Sequence, residues 1–311
     1  MFGESDEEFL NPQITEFSST GIPDITSWTH ECDFMGCSFN RINSNKDLYC
    51  NEWKVSYCPS IYVIILITSS LFVYFLILRT FLSYTSVILD AIMLISNICF
   101  LVSYFATIFE GPGFLPFYYP LQITKRDDGV PDYLSGVVSN EQQENYVKSK
   151  PKMSRVGFFR TVHRYVLRPD HFCGWTGQFI GKKNYKLFVL FNIWGAIYTS
   201  QFLGYCIFAL VRNLSLPQPF IPSLLLTLIY MLQCVLFCLM TWNFGCIGIY
   251  NIHMNSTQLE QMQDNKNSYT KPNCIDNWEE VCGPRTKWYF WIFPVPAFHD
   301  KSPEYLLTHP I

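Results

Sequence analysis

A carboxylate, an imidazole and a thiol fall within four residues at Asp170-His171-Phe172-Cys173. In that combination Asp can orient His and His can take the proton from Cys, which makes an activated sulfur nucleophile. The run alone is a weak signal, because such clusters arise by chance and a solvated loop is their usual setting. Its surroundings have to decide. It lies in the stretch Arg164 to Phe188, RYVLRPDHFCGWTGQFIGKKNYKLF, just ahead of a long apolar segment.

The elements around that stretch are those of a membrane protein. Of 311 residues, 49% are hydrophobic, 17% aromatic and only 15% charged, whereas soluble domains carry about 25% charged residues. Val55 to Leu78, Ala91 to Phe109 and Leu187 to Val211 carry no charge, and Asn213 to Ile252 is charge-free with an apolar centre from Ile221 to Tyr250. A bilayer core needs about 20 apolar residues as helix. The expected fold class is therefore an all-α membrane protein with four transmembrane helices.

Cytoplasmic loops collect Lys and Arg. The segment Glu110 to Lys186 holds Lys125, Arg126, Lys148, Lys150, Lys152, Arg155, Arg160, Arg164, Arg168, Lys182, Lys183 and Lys186, and the shorter connections carry little beyond Arg79 and Arg212. The loop between helices two and three is thus expected in the cytosol, with both termini. The net charge of -3 adds nothing to this, since local asymmetry decides orientation. The organisation reads as a polar, acidic cytosolic tail at 1–54 without a signal-peptide core, helices one and two in 55–110, a loop domain at 111–186, helices three and four in 187–250, and a small irregular cytosolic segment at 251–311. Such a chain is expected to be uncleaved and multi-pass.

Other features have plainer readings. Twelve cysteines do not make a disulfide framework here, because five lie in membrane segments and the rest face a reducing cytosol on this topology. Cys32, Cys37, Cys50 and Cys58 match no common zinc spacing, so a loose polar tail is favoured over a metal site, with S-acylation of Cys50 or Cys58 a secondary reading. Arg79 and Asp90 are expected to pair or to reach the interface. Asn213-Leu214-Ser215 is a glycosylation sequon too close to the bilayer to be used well. Gly111-Pro112-Gly113 should stop helix two, residues 125 to 150 read as a tether, and His163 as a surface residue. Interleaved aromatic and basic residues from Lys148 to Lys186 fit anionic lipid or the phosphates of a nucleotide-linked cofactor better than nucleic acid. The run Lys287-Trp288-Tyr289-Phe290-Trp291-Ile292-Phe293-Pro294 suits the membrane interface.

With the loop so placed, the residues around Cys173 resemble the DHHC family of protein S-acyltransferases, the palmitoyltransferases. The family run Asp-His-His-Cys-Pro-Trp corresponds to Asp170-His171-Phe172-Cys173-Gly174-Trp175, followed at the right steps by Gly181, Asn184 and Phe188. Gly111-Pro112-Gly113 resembles the Asp-Pro-Gly element without its Asp. Thr257-Gln258-Leu259-Glu260 resembles Thr-Thr-x-Glu with one Thr replaced, and Asn277 to Gly283 resembles the C-terminal element in which Asn precedes Val-Phe-Gly. The motifs occur in family order around four helices.

The resemblance implies that Cys173 attacks the thioester of a long-chain acyl-CoA, palmitoyl-CoA above all, and passes the chain to membrane-proximal cysteines of protein substrates. His171 would be the base and Asp170 its orienter. Arg168, Lys182 and Lys183 would meet the CoA phosphates, and aromatic residues of the helices would line a cavity for the acyl chain. Asn184, Thr257, Glu260 and Asn277 would satisfy buried backbone groups and hold the loop to the helices, with Trp175 part of the structural motif. Membrane lipid is the other partner, nucleic acid is not, and the location is an endomembrane (ER or Golgi) or the plasma membrane.

The departure from the family is as informative as the match. Projecting the family's eight zinc-ligand positions from Asp170 gives Asn145, Lys148, Phe158, Phe159, Val162, Tyr165, Phe172 and Phe179, from which Cys and His are gone. Asp170, His171 and Cys173 remain. No metal is therefore expected, and a hydrophobic cluster of Phe158, Phe159, Val162, Tyr165, Phe172 and Phe179 would replace both zinc sites. Structural zinc is worth about 10 to 16 kcal/mol to a small domain, against about 1.5 to 3 per buried large apolar side chain, so all six would have to be buried. Two rivals stand beside the enzyme: a pseudoenzyme of the same fold that binds acyl chains or proteins, with Phe172 and Gly174 displacing the nucleophile, and a four-helix channel or tetraspanin-like organiser. The placement of the large loop and the lack of a polar pathway through the helices speak against the last.

Overall fold

The computed structural model describes residues 27–33, 36–42, 55–81, 87–115, 122–125, 131–133, 155–159, 164–263, 269–301 and 303–308. Asn145, Lys148, Val162, His163 and Cys50, and most of the tether at 125 to 150, lie outside them. The protein is mostly helical. Four helices have the length and apolar character to cross a membrane. These are α1 (Tyr57–Leu76), continued by a 3-10 turn (Leu78–Phe81), α2 (Val87–Glu110), α3 (Tyr185–Leu214) and α4 (Ile221–His253).

The helices begin and end where the backbone requires. Gly111 and Gly113 have φ of 69° and 87°, a left-handed region open to glycine at no steric cost, and with Pro112 they turn the chain out of α2. Pro222 occupies the first turn of α4, where its missing N–H is one of the orphans anyway. Helix α2 starts earlier than the charge-free run implies and takes in Asp90. That carboxylate is satisfied, since Arg79 Nε meets its Oδ2 at 2.8 Å and the Tyr74 hydroxyl donates to Oδ1. A paired charge near a helix end is tolerated at membrane depth where a lone one is not.

Two compact units divide the chain. One joins Met1–Tyr57, Phe109–Lys183 and Phe298–Ile311, the other Cys58–Ile108 and Asn184–Ala297. The loop of the first unit is built of β-hairpins, which the all-α reading did not anticipate: β4 (Gln122–Lys125) with β5 (Pro131–Tyr133), β6 (Val156–Phe159) with β7 (Arg164–Leu167), and β8 (His171–Cys173) with β9 (Gln178–Ile180), all antiparallel. The polar tail also contains strands, β1 (Ser27–Asp33) and β2 (Gly36–Ile42), with β3 (Val55–Ser56) added to β2.

The described residues of the C-terminal segment form short helices joined by irregular stretches. They include α5 (Gln258–Met262), α6 (Cys274–Cys282), a 3-10 segment (Arg285–Trp291) and α7 (Pro303–Thr308). A capping box explains α5: the Glu260 backbone N–H donates to Thr257 Oγ1 at 3.2 Å, and the Thr257 N–H donates to Glu260 Oε2 at 2.8 Å. Two donors that a helix start leaves bare are thereby satisfied. Asn273 caps α6 in the simpler way, accepting from the Ile275 N–H at 3.1 Å.

Candidate functional site

Successive residues of a strand point to opposite faces. In β8 this places His171 and Cys173 on one face and Phe172 on the other. The register with β9 pairs His171 with Ile180, Phe172 with Phe179 and Cys173 with Gln178. The loop that joins the strands, Gly174 to Gly177, turns at Gly177 with φ of 64°, and the Thr176 hydroxyl donates to the Cys173 carbonyl at 3.3 Å. A side chain at Gly174 would meet nothing within 4 Å, so this glycine crowds nothing.

Asp170 continues the ladder, its N–H donating to the Ile180 carbonyl at 2.9 Å. Its Oδ2 lies 2.7 Å from His171 Nδ1. Asp170 is buried at 5% exposure and Cys173 likewise at 5%. Burial pulls the His171 imidazole down, but hydrogen bonds and charges from Asp170 and Cys173 together outweigh it and raise the group to about 9. Burial pushes the Cys173 thiol up, yet the His171 hydrogen bond and charge, with further bonds from Thr176, bring it below its ordinary value. The two shifts are complementary. Both favour the form in which the proton rests on the imidazole and the sulfur is a thiolate.

The Gly-Pro-Gly element and the residues after it are held to β7 and to the residues that follow β9. Leu167 N–H donates to the Gly113 carbonyl at 3.1 Å, Leu115 N–H to Tyr165 at 3.0 Å, Lys183 N–H to Pro112 at 3.3 Å and Lys182 N–H to Leu167 at 2.9 Å. Gly181 sits where these segments meet. A Cβ there would lie 2.6 Å from the Pro112 carbonyl and 2.8 Å from Val166 Cγ1, so only glycine permits the approach. Spacing alone singled out Gly181 but gave no reason for it.

At the described zinc-ligand positions of the family there are rings. Phe158 and Tyr165 are paired across β6 and β7 with centroids 5.3 Å apart, packed with Leu115 and Val156. Phe159 meets Phe179 at 4.3 Å, and Phe179 meets Phe172 at 6.3 Å. The five described members of the six-residue cluster expected from the sequence thus form two clusters. Phe158 and Phe159 are neighbours on one strand and must face opposite ways. Phe172 is also 41% exposed, so the requirement that every member be buried is not met. A single phenol among apolar rings is no donor set for zinc, and these positions do not fit the ion.

The remaining site residues are placed as follows. Arg168 is buried, with φ of 47° and its N–H donating to the Arg155 carbonyl at 2.6 Å. Lys182 is buried over the Phe298 ring, 5.0 Å from its centroid. Lys183 Nζ is ion-paired with Glu110 Oε1 at 3.1 Å, and Glu110 Oε2 is 2.8 Å from His299 Nδ1. Charge alone did not show that the two lysines have partners inside the fold. Trp175 is half-buried in the β8–β9 loop.

In the helical unit, Asn184 is fully buried and donates to the Thr107 carbonyl at 3.2 Å. Asn277 accepts from Lys271 N–H at 2.8 Å and donates to the His253 carbonyl at 2.9 Å, which ties α6 to the end of α4. An apolar cavity lies among the four helices, lined by Val63, Ile67, Phe100, Tyr198, Phe202 and Tyr230 among others. Ser70 and the Tyr198 hydroxyl, also at its wall, are 2.6 Å apart.

Comparison with known proteins gives the same direction. Residues 139–265 match the family model described as DHHC palmitoyltransferase. Over 177 residues the chain is 25% identical to palmitoyltransferase PFA3 of Debaryomyces hansenii, covering 46% of this chain and 41% of that protein. It is 24% identical over 162 residues to palmitoyltransferase PFA3 of Saccharomyces cerevisiae, covering 45% and 47%, and 34% identical over 131 residues to palmitoyltransferase ZDHHC9 of Danio rerio, covering 38% and 33%. The matched stretch spans less than half the length of these relatives. Residues 139–265, which contain the Asp-His-Phe-Cys hairpin and both helices that follow it, are thus the part of the chain that is similar to the DHHC palmitoyltransferases.

Proposed function

We propose that the protein is a protein S-acyltransferase that takes a long-chain acyl group, palmitoyl foremost, from acyl-CoA onto Cys173 and passes it to cysteines of protein substrates at a membrane. The observation that carries this is the Asp170-His171-Cys173 arrangement on a single hairpin, with the imidazole raised to about 9 and the thiol lowered. The thiolate attacks the thioester carbonyl, and the acyl-sulfur bond to Cys173 forms as the bond to CoA breaks. His171 already holds a proton in this pair, so it stabilises the thiolate and can then give that proton to the departing CoA thiolate, while Asp170 fixes the ring. Thioester exchange is close to balanced, so little driving force is asked of the site.

The acyl chain's place in this reading is the apolar cavity of the helical unit, whose lining suits a hydrocarbon. Arg168, Lys182 and Lys183 are the candidates for the CoA phosphates. The two lysines would have to exchange Phe298 and Glu110 for phosphate oxygens. Orientation with loop and termini in the cytosol, in an endomembrane or the plasma membrane, completes the proposal and supplies the acyl-CoA side.

Incubation of the purified protein with labelled palmitoyl-CoA tests it. Hydroxylamine-sensitive label on the wild type that is lost in Cys173→Ala is the expected result. Absence of label under conditions that acylate a catalytically active family member overturns the enzyme and leaves the pseudoenzyme.

A further inference from the structure

The 3-10 segment Arg285–Trp291 and the turn after it expose large side chains in succession. Trp288 is 64% exposed and Ile292 55%, with Tyr289 and Phe293 close behind. Such a run is out of place against water. Its backbone is equally unusual in its partners. Lys186 Nζ donates to the Phe290 carbonyl at 2.6 Å and to the Val295 carbonyl at 2.8 Å, and Trp194 Nε1 donates to the Ile292 carbonyl at 3.2 Å.

Those donors mark heights along α3. A 30-residue helix rises about 45 Å, close to the full bilayer with its headgroup layers. Lys186 lies in the first turn, at headgroup level, and Trp194 about 12 Å further along the axis. The chain therefore meets the Lys186 level at Phe290, the deeper Trp194 level at Ile292, and the Lys186 level again at Val295. Irregular backbone is tolerated at membrane depth only where its polar groups have partners, and here three carbonyls of the descending and returning chain have them. Ahead of the run, Arg285 is paired to Asp276 at 2.6 Å and Glu279 at 2.8 Å.

We propose that residues 288–295 form a re-entrant segment inserted into the bilayer beside the first turns of α3, with Lys186 as its pin and membrane lipid as its partner. The segment exposes Trp288, Ile292 and Phe293 at the depth of helices that are themselves long and apolar enough to cross a membrane, so one occupant, the lipid, covers both. Lys186 is then a structural donor and not part of the headgroup-attracting charge of the loop.

The test uses the full chain in phosphatidylcholine nanodiscs whose acyl chains carry a tritium label, with the photo-crosslinker p-benzoylphenylalanine placed at Phe293 or, as the water-side control, at Asp276. Lipid labelling from position 293 is expected on the order of tenfold above that from position 276, the ratio that burial of one large apolar side chain gives. Equal labelling at the two positions, or crosslinks from 293 to protein alone, overturns insertion. The arm with native Lys186 decides insertion by itself. In Lys186→Met the labelling at 293 is expected to fall toward the control, and unchanged labelling removes Lys186 as the pin. Acyl transfer is not a readout in either arm, so failure of this inference and failure of the acyltransferase reading are separable.

Discussion

The β8–β9 hairpin and the α5–α6 segment both carry short family motifs, and they differ in which part of the motif has survived. In the hairpin the rings of Phe172 and Phe179 stand beside Asp170, His171 and Cys173, where the resemblance leads one to expect metal ligands. In α5 and α6 the surviving residues, Thr257, Glu260 and Asn277, hydrogen-bond to backbone and support nothing chemical that the geometry shows. Strand alternation explains the first case. Because Phe172 faces away from His171 and Cys173, the middle residue of the triplet can change without moving the other two. No such division is available to a buried Asn that meets donor and acceptor at once.

That contrast can be broken by mutation. The largest effect belongs to His171→Ala. With the imidazole gone burial raises the Cys173 thiol and only the Thr176 bonds oppose it, so alkylation of the Cys173 peptide at neutral pH should fall by on the order of a hundredfold. The pH profile sharpens the point. In the wild type the thiolate should persist below the ordinary thiol range, and steps that need the protonated imidazole should decline as pH rises through about 9. An unchanged alkylation profile in His171→Ala would remove the ion pair.

Gly181→Ala comes next, forcing a methyl against the Pro112 carbonyl and destabilising the loop by about 1–3 kcal/mol, read as a lower melting temperature. Asn277→Ala should cost a similar 1–3 kcal/mol by leaving backbone groups unmet, but with Cys173 alkylation unaltered in the folded protein. Smaller is Phe159→Leu, which removes one ring pair worth about 0.5–1.5 kcal/mol. Phe172→His should change least. It introduces the residue the resemblance leads one to expect, yet with Phe179 beside it elemental analysis should find no added zinc, and autoacylation should stay within a few-fold. Stoichiometric zinc in that variant would mean that the rings are not a barrier to the metal.

The sequence was legible where the physics is local. Charge-free runs of bilayer length gave the helices to within a few residues, and Arg79 and Asp90 pair as their positions suggested. The motif spacing placed Asp170, His171 and Cys173 together. What spacing could not give is a face: the three-residue strand β8 is too short to announce a period of two, so Phe172 looked like an intrusion on the nucleophile. Long-range partners were equally hidden. Lys183 and Lys186 read as loop charge, but their partners, Glu110 and the carbonyls of Phe290 and Val295, lie far along the chain. The split of one expected aromatic cluster into two follows from the alternation of Phe158 and Phe159, visible only once β6 is known to be a strand.

The contact of Arg79 with Asp90 also bears on how the chain reaches its membrane. A lone Asp or Arg at the centre of an inserting helix costs about 2.5–3.5 kcal/mol, less toward its end. Joined across the short turn, the two side chains enter as a neutral pair with Tyr74 as an additional donor. Helices α1 and α2 are thereby favoured to insert as one hairpin during synthesis, and separating these two charges would penalise biogenesis before it touched the folded protein.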